Sequence, residues 1–225
     1  MRTADRKATV RVEYASVGAT DVMAANGGYL LHPVPGFTTG YDFVGTVERL
    51  PASGSPHIAV GDRVAGILPR MGAHATKIAA DLQSLVRVPD AVKPSVAATI
   101  PLDAVTAIYA LSLASRREPR TLLVQGAGGS VGAWLVQLAR ANGILVYGTA
   151  SGHSAAHATN LGARCYDYTD SDWKDRLRSD APDGVDGIID HTGDRSLASL
   201  VSDRGCIVRT AFGGSPGRQM QATLR

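Results

Sequence analysis

Residues 121–150 read TLLVQGAGGSVGAWLVQLARANGILVYGTA, and no other stretch of the chain constrains the fold as strongly. Leu122, Leu123 and Val124 form a short continuous apolar run, the pattern of a strand buried on both faces. Gly126, Gly128, Gly129 and Gly132 then crowd one turn, and Trp134, Leu135, Leu138 and Ala139 recur at helical spacing. Asn142-Gly143 supplies the helix stop, and a second apolar run follows. Strand, glycine turn, helix and strand in this order predict a βαβ unit. A turn without Cβ atoms lets backbone N–H groups approach a pyrophosphate at the positive end of the helix, over Gly128, Gly129, Ser130 and Val131. Gly132 allows close packing under the helix.

The βα alternation continues to the end of the chain. Strands are predicted at 122–125, 145–149, 164–168, 187–190 and 206–211, with helices at 132–141, 154–161, 171–178 and 196–201. That pattern implies a doubly wound parallel sheet. The first half reads differently, with short strands at 8–14, 43–50, 63–68, 75–79 and 85–88 punctuated by prolines. Residues 95–114 are helical with a break near Pro101. The expected fold class is α/β: a Rossmann-type domain at 106–225 preceded by a partial, irregular β-rich domain at 1–105.

Composition excludes several functions. The 225 residues are 44% hydrophobic and carry a net charge of +3, with both signs interspersed, so neither a nucleic-acid stripe nor a polybasic membrane anchor is expected. The charged N-terminus lacks the apolar core of a signal peptide. Cys165 and Cys206 are too few for a disulfide framework, which fits a reducing, cytoplasmic setting. A catalytic zinc needs about three protein ligands. The first half has no cysteine, and His32, His57 and His74 stand alone. Both cysteines fall in or beside strands, where a small buried hydrophobe is the simpler reading, so no metal is expected.

Residues 11–21 (RVEYASVGATD), 37–47 (FTTGYDFVGTV), 61–64 (GDRV), 124–132 (VQGAGGSVG), 161–168 (LGARCYDY), 186–193 (DGIIDHTG) and 204–214 (RGCIVRTAFGG) occur in an order and spacing that resemble the medium-chain dehydrogenase/reductase superfamily. The resemblance is to its zinc-independent quinone oxidoreductase and enoyl reductase-like branch. It implies hydride transfer from a reduced nicotinamide to a quinone, enone or related conjugated carbonyl. It also points to Tyr41, Asp42 and Thr106 as substrate-pocket residues, and to Thr192, Phe212 and Gly213 beside the nicotinamide. Asp42 has an equal reading as a carboxylate that satisfies backbone N–H groups, and Asp190 and His191 read as sheet-end hydrogen-bonding residues.

No acid follows the second Rossmann strand until Asp167, and a carboxylate there would repel a 2′-phosphate. Ser151, His153 and Ser154 offer neutral donors instead, so NADPH is the expected cofactor; His153 reads equally as a solvated loop residue.

The chain departs from the family pattern at Gly18, in a loop that often carries a polar residue, and at Met23, a position held by Tyr in some relatives, and neither residue can donate a side-chain proton. The resemblance also implies strands before Arg11 and a sixth Rossmann strand after the fifth. The expectation is therefore a chain truncated at both ends, with five of six strands, without the strand of the usual family dimer, and with exposed edges that favour self-association. Two functions stay open: an NADPH-dependent oxidoreductase acting on a small molecule, or a nucleotide-binding remnant without turnover.

Overall fold

A computed structural model describes residues 7–29 and 36–210. The chain divides into two compact units, residues 1–102 and 103–225.

The first unit is an antiparallel sheet of five strands: β1 (Lys7–Ala15), β2 (Asp42–Arg49), β3 (Arg63–Ile67), β4 (Lys77–Asp81) and β5 (Leu85–Arg87). Their order is β4-β1-β2-β3-β5. Alternation sends Ala8 and Val10 of β1, Phe43 and Val47 of β2 and Val64 of β3 into one core with Ile78, Ala80 and Leu85. The opposite face of β2 buries Val44 against Ala97 and Ala98. These lie at the end of a short helix, Pro94–Ala97, and just after it.

Helix α1 (Ala19–Ala25) is an element that the sequence reading missed. It is held from outside its own sequence. Asp21 is buried and accepts N–H groups from Gly18 and Gly40, both at 2.8 Å.

With Pro94–Ala97 as α2, helix α3 (Pro101–Ser115) starts at the expected break, with Pro101 where a helix tolerates a missing N–H. The unit boundary falls three residues earlier than the 105/106 boundary read from the sequence. The reason is that α3 packs Ala107, Ala110, Leu111 and Ala114 onto the core of the second unit.

The second unit is a parallel sheet of β6 (Thr121–Val124), β7 (Leu145–Ala150), β8 (Arg164–Asp167), β9 (Val185–Asp190) and β10 (Val201–Arg209) in the order β10-β9-β6-β7-β8. The order changes direction at β6, where the chain crosses from one side of the sheet to the other, as in a doubly wound Rossmann sheet. Successive residues of β6 serve opposite faces: Leu122 and Val124 join α3, α4 (Ser130–Ala141) and α5 (Gly152–Asn160), whereas Leu123 joins α6 (Trp173–Asp180) and the 3-10 turn Arg195–Leu200. That two-sided burial is why the run looked uniformly apolar. β10 begins at Val201 rather than near 206, because Val201 pairs with Val185 before a register shift leads to Cys206 opposite Gly187.

Candidate functional site

Parallel strands leave their carboxyl ends at one edge of the sheet, and in the second unit the glycine turn lies there between β6 and α4. Gly126 has φ +61°, a left-handed backbone that glycine adopts without strain. Its N–H donates to Thr149 Oγ1 at 3.1 Å, and Ala127 N–H donates to Thr149 O at 2.8 Å. The Thr149 hydroxyl in turn donates to buried Gln125 at 2.6 Å. Thr149 and Gln125 thus pin the turn to the end of β7, a role that no local pattern in the sequence signals.

The other glycines differ in what a side chain would meet. A Cβ on Gly132 would stand 2.2 Å from Gly126 O, so α4 rests directly on the turn. A Cβ on Gly128 would stand 2.4 Å from Ser154 Cβ, at the start of α5. A Cβ on Gly129 meets only Gly126 O at 3.3 Å and otherwise faces open space. Gly129 is the N-cap of α4 and Ser151 that of α5, and neither makes a side-chain capping bond. The first N–H groups of both helices therefore lack intrahelical and side-chain acceptors. The cradle a Cβ would fill, beside two uncapped helix starts, fits the diphosphate of a dinucleotide.

Gly126, Gly128, Gly129, Ser130, Val131, Gly132, Ser151, His153 and Ser154 thus lie along the β6–α4 turn and the adjoining start of α5. His153 is exposed. Asp103, in the first turn of α3, hydrogen-bonds Ser130; burial raises its carboxyl above the usual range, and the bond from Ser130 partly offsets this. Thr106 follows one turn further along α3.

At the end of β9, Asp190 is fully buried and its Oδ1 accepts from Thr192 N at 2.7 Å, Thr192 Oγ1 at 2.7 Å and Gly193 N at 3.1 Å. Arg209 pairs with its other oxygen at 3.2 Å. Asp190 shapes the turn, and Thr192 is committed to it. Phe212, Gly213 and His32 lie outside the described residues.

The pocket candidates of the first unit have well-defined partners. Asp42 is buried and accepts Leu102 N–H at 2.9 Å, at the first turn of α3, and Ser16 Oγ at 3.3 Å. Tyr41 donates its hydroxyl to Tyr29 at 3.1 Å, the rings meeting edge to face. Burial, and then Tyr29, push the Tyr41 phenol above its usual range, so it serves as a donor and not as a base. Met23, one of the two departures from the family pattern, is exposed, and it is Tyr29 that meets Tyr41. His74 is hydrogen-bonded through Nε2 to Ser16 O at 2.8 Å and through Nδ1 to Thr39 Oγ1 at 2.7 Å, so both ring nitrogens are engaged.

Two family descriptions tile this arrangement. The alcohol dehydrogenase GroES-like domain matches residues 4–90, and the zinc-binding dehydrogenase family matches 130–223. The chain belongs to the medium-chain dehydrogenase/reductase superfamily. Among its superfamily relatives, a probable quinone oxidoreductase of Leishmania amazonensis is 30% identical over 92% of this chain and 60% of its own length. A trans-enoyl reductase of Aspergillus niger is 32% identical over 65% of this chain and 47% of its own. The quinone oxidoreductase of Thermus thermophilus, solved also in complex with NADPH, superposes with a TM-score of 0.77 at 29% identity, over 97% of this chain and 69% of that one. The chain thus spans less than two thirds of either sequence relative.

Proposed function

We propose that this superfamily member is an oxidoreductase that takes NADPH and reduces a quinone, an enone or a related conjugated carbonyl without zinc. The observation that carries this reading is the glycine turn at the carboxyl edge of the parallel sheet, open at Gly129 and flanked by two uncapped helix starts. The names of the quinone oxidoreductase and enoyl reductase relatives, and the NADPH complex of the Thermus protein, support it.

When bound, the reduced nicotinamide supplies hydride to the electron-poor carbon of the acceptor, and water supplies the balancing proton. The chain's own residues bind and orient. The N–H groups of Ser130 and Val131 hold the diphosphate, and the bare Cα of Gly129 lets it approach. Ser151 and Ser154, whose hydroxyls stand 3.3 Å apart, receive the adenosine 2′-phosphate. No carboxylate follows β7 until Asp167, which supports NADPH over NADH. Tyr41, whose hydroxyl donates to Tyr29, lines the substrate pocket in this reading. Thr192 and Thr106 are neutral polar groups beside the nicotinamide, and Phe212 and Gly213 complete that set in this reading. Among the described residues, no three His, Cys, Asp or Glu side chains cluster as metal ligands, which supports zinc-free chemistry.

A second reading, nucleotide binding without turnover, draws on Gly18 and Met23, neither of which can give a proton. Oxidation of NADPH with a panel of quinones and enones, measured beside NADPH and NADH binding, separates the two. Turnover with tighter NADPH binding supports the first reading. Binding without turnover supports the second, and equal affinity for NADH removes the preference for NADPH.

A further inference from the structure

His191 is the first residue beyond β9, and Gly126 the second beyond β6. These strands are parallel neighbours, with Val124 opposite Ile189, and the chain leaves them toward opposite faces of the sheet. A crevice opens at such a switch point, and here His191 spans it. A Cβ built on Gly126 would stand 2.5 Å from Cε1 of His191, 3.2 Å from Nε2 and 3.4 Å from Nδ1, so the ring rests on the bare glycine. The turn that presents it is rigid, because buried Asp190 fixes Thr192, Gly193 and Arg209 around itself. The imidazole itself is exposed and makes no hydrogen bond among the described residues. A ring with an uncommitted N–H is thereby held against the glycine turn that leads into the uncapped start of α4.

We propose that His191 contacts the cofactor, its ring N–H donating to the diphosphate from the β9 side of the crevice while the α4 N–H groups hold it from the β6 side. The proposal rests on the dinucleotide reading given above. An imidazole donor and backbone donors on opposite walls clamp an anion in a way that a helix start alone does not.

The test is titration calorimetry on the full chain with three ligands: NADPH; 2′-phospho-ADP-ribose, which keeps the diphosphate and lacks nicotinamide; and adenosine 2′-phosphate, which has no diphosphate. His191→Ala should weaken the first two on the order of tenfold, the weight of one hydrogen bond to a charged group, and leave the third unchanged. His191→Gln, which keeps an N–H donor, should recover part of the loss. Unchanged or tighter binding of NADPH by His191→Ala overturns the proposal, the latter because the ring would then be an obstruction. Equal weakening of all three ligands also overturns it, because the role would then be structural. Failure of the unsubstituted chain to bind any of the three overturns the dinucleotide reading itself, a result distinct from the others.

Discussion

Gly129 and Gly132 lie within one helical turn of each other, yet a side chain added at the first enters open space and at the second meets backbone. Gly129 has φ −78° and ψ 171°, a backbone that any residue adopts, and a side chain there enters open space. Gly129→Val should therefore leave thermal unfolding within a few degrees of the unsubstituted protein and abolish NADPH binding. Gly132→Ala should do the reverse in order of severity. Its Cβ would sit 2.2 Å from Gly126 O, backbone must move, and overpacking of this kind costs about 1–3 kcal/mol, seen as a Tm lower by several degrees. Asp190→Ala removes the acceptor for three hydrogen bonds and the partner of Arg209, leaving N–H groups of the turn unsatisfied. A loss on the order of 3 kcal/mol in urea unfolding is expected. Stability unchanged by that substitution would mean that water replaces the carboxylate.

Among the elements, the 3-10 turn Arg195–Leu200 covers one face of the sheet with Leu197 and Leu200 and depends on Asp194 at its N-cap. Asp194 accepts Ser196 N–H at 2.8 Å and Ser196 Oγ at 2.7 Å, and pairs with Lys174 at 3.1 Å. The Ser196 hydroxyl, outweighing burial, leads the contacts that hold this carboxyl below its usual range. A depressed folded value stabilises above the ordinary carboxylate range and is lost as pH falls through it. Asp194→Ala should cost about 1 kcal/mol at neutral pH, most of it the cap, since the side chain is 39% exposed and the ion pair is screened. In chemical denaturation the difference should close as the pH drops below the ordinary carboxylate range. A gap that persists in acid would assign the effect to shape and not to charge. Elements of this sheet were legible because each strand or helix buries its own residues, as with Leu135 and Ala139 of α4. Helix α1 was not, because Asp21 secures it through Gly40, far along the chain. The early start of β10 was hidden by polar Ser202, Asp203 and Arg204 between Val201 and the paired run at 206–209. The site was legible as a glycine pattern, whereas the closeness of Gly126 to Thr149 and His191 joins residues far apart in sequence.

For the whole molecule, the sharpest question is metal, since one half matches a family described as zinc-binding. Zinc takes thiolates, neutral imidazoles or carboxylates in tetrahedral sets. Burial raises the Cys206 thiol above its usual range, against a lowering influence from Arg117, which disfavours the thiolate that would ligate. Cys165 lies in β8, and His74 has both ring nitrogens in use. Asp21, Asp42 and Asp190, the buried carboxylates among the described residues, each hold backbone N–H groups already. Recruiting any of them to a metal would strip donors of their acceptors inside the protein, at a cost of about 1–3 kcal/mol for each N–H. Elemental analysis of the purified chain should accordingly find far less than one zinc per molecule. Dialysis against a chelator should leave thermal unfolding, NADPH binding and any reductase turnover unchanged. Stoichiometric zinc whose removal lowers the unfolding temperature would show that ligands converge at residues outside this set, and would replace the zinc-free reading with a Lewis-acid one.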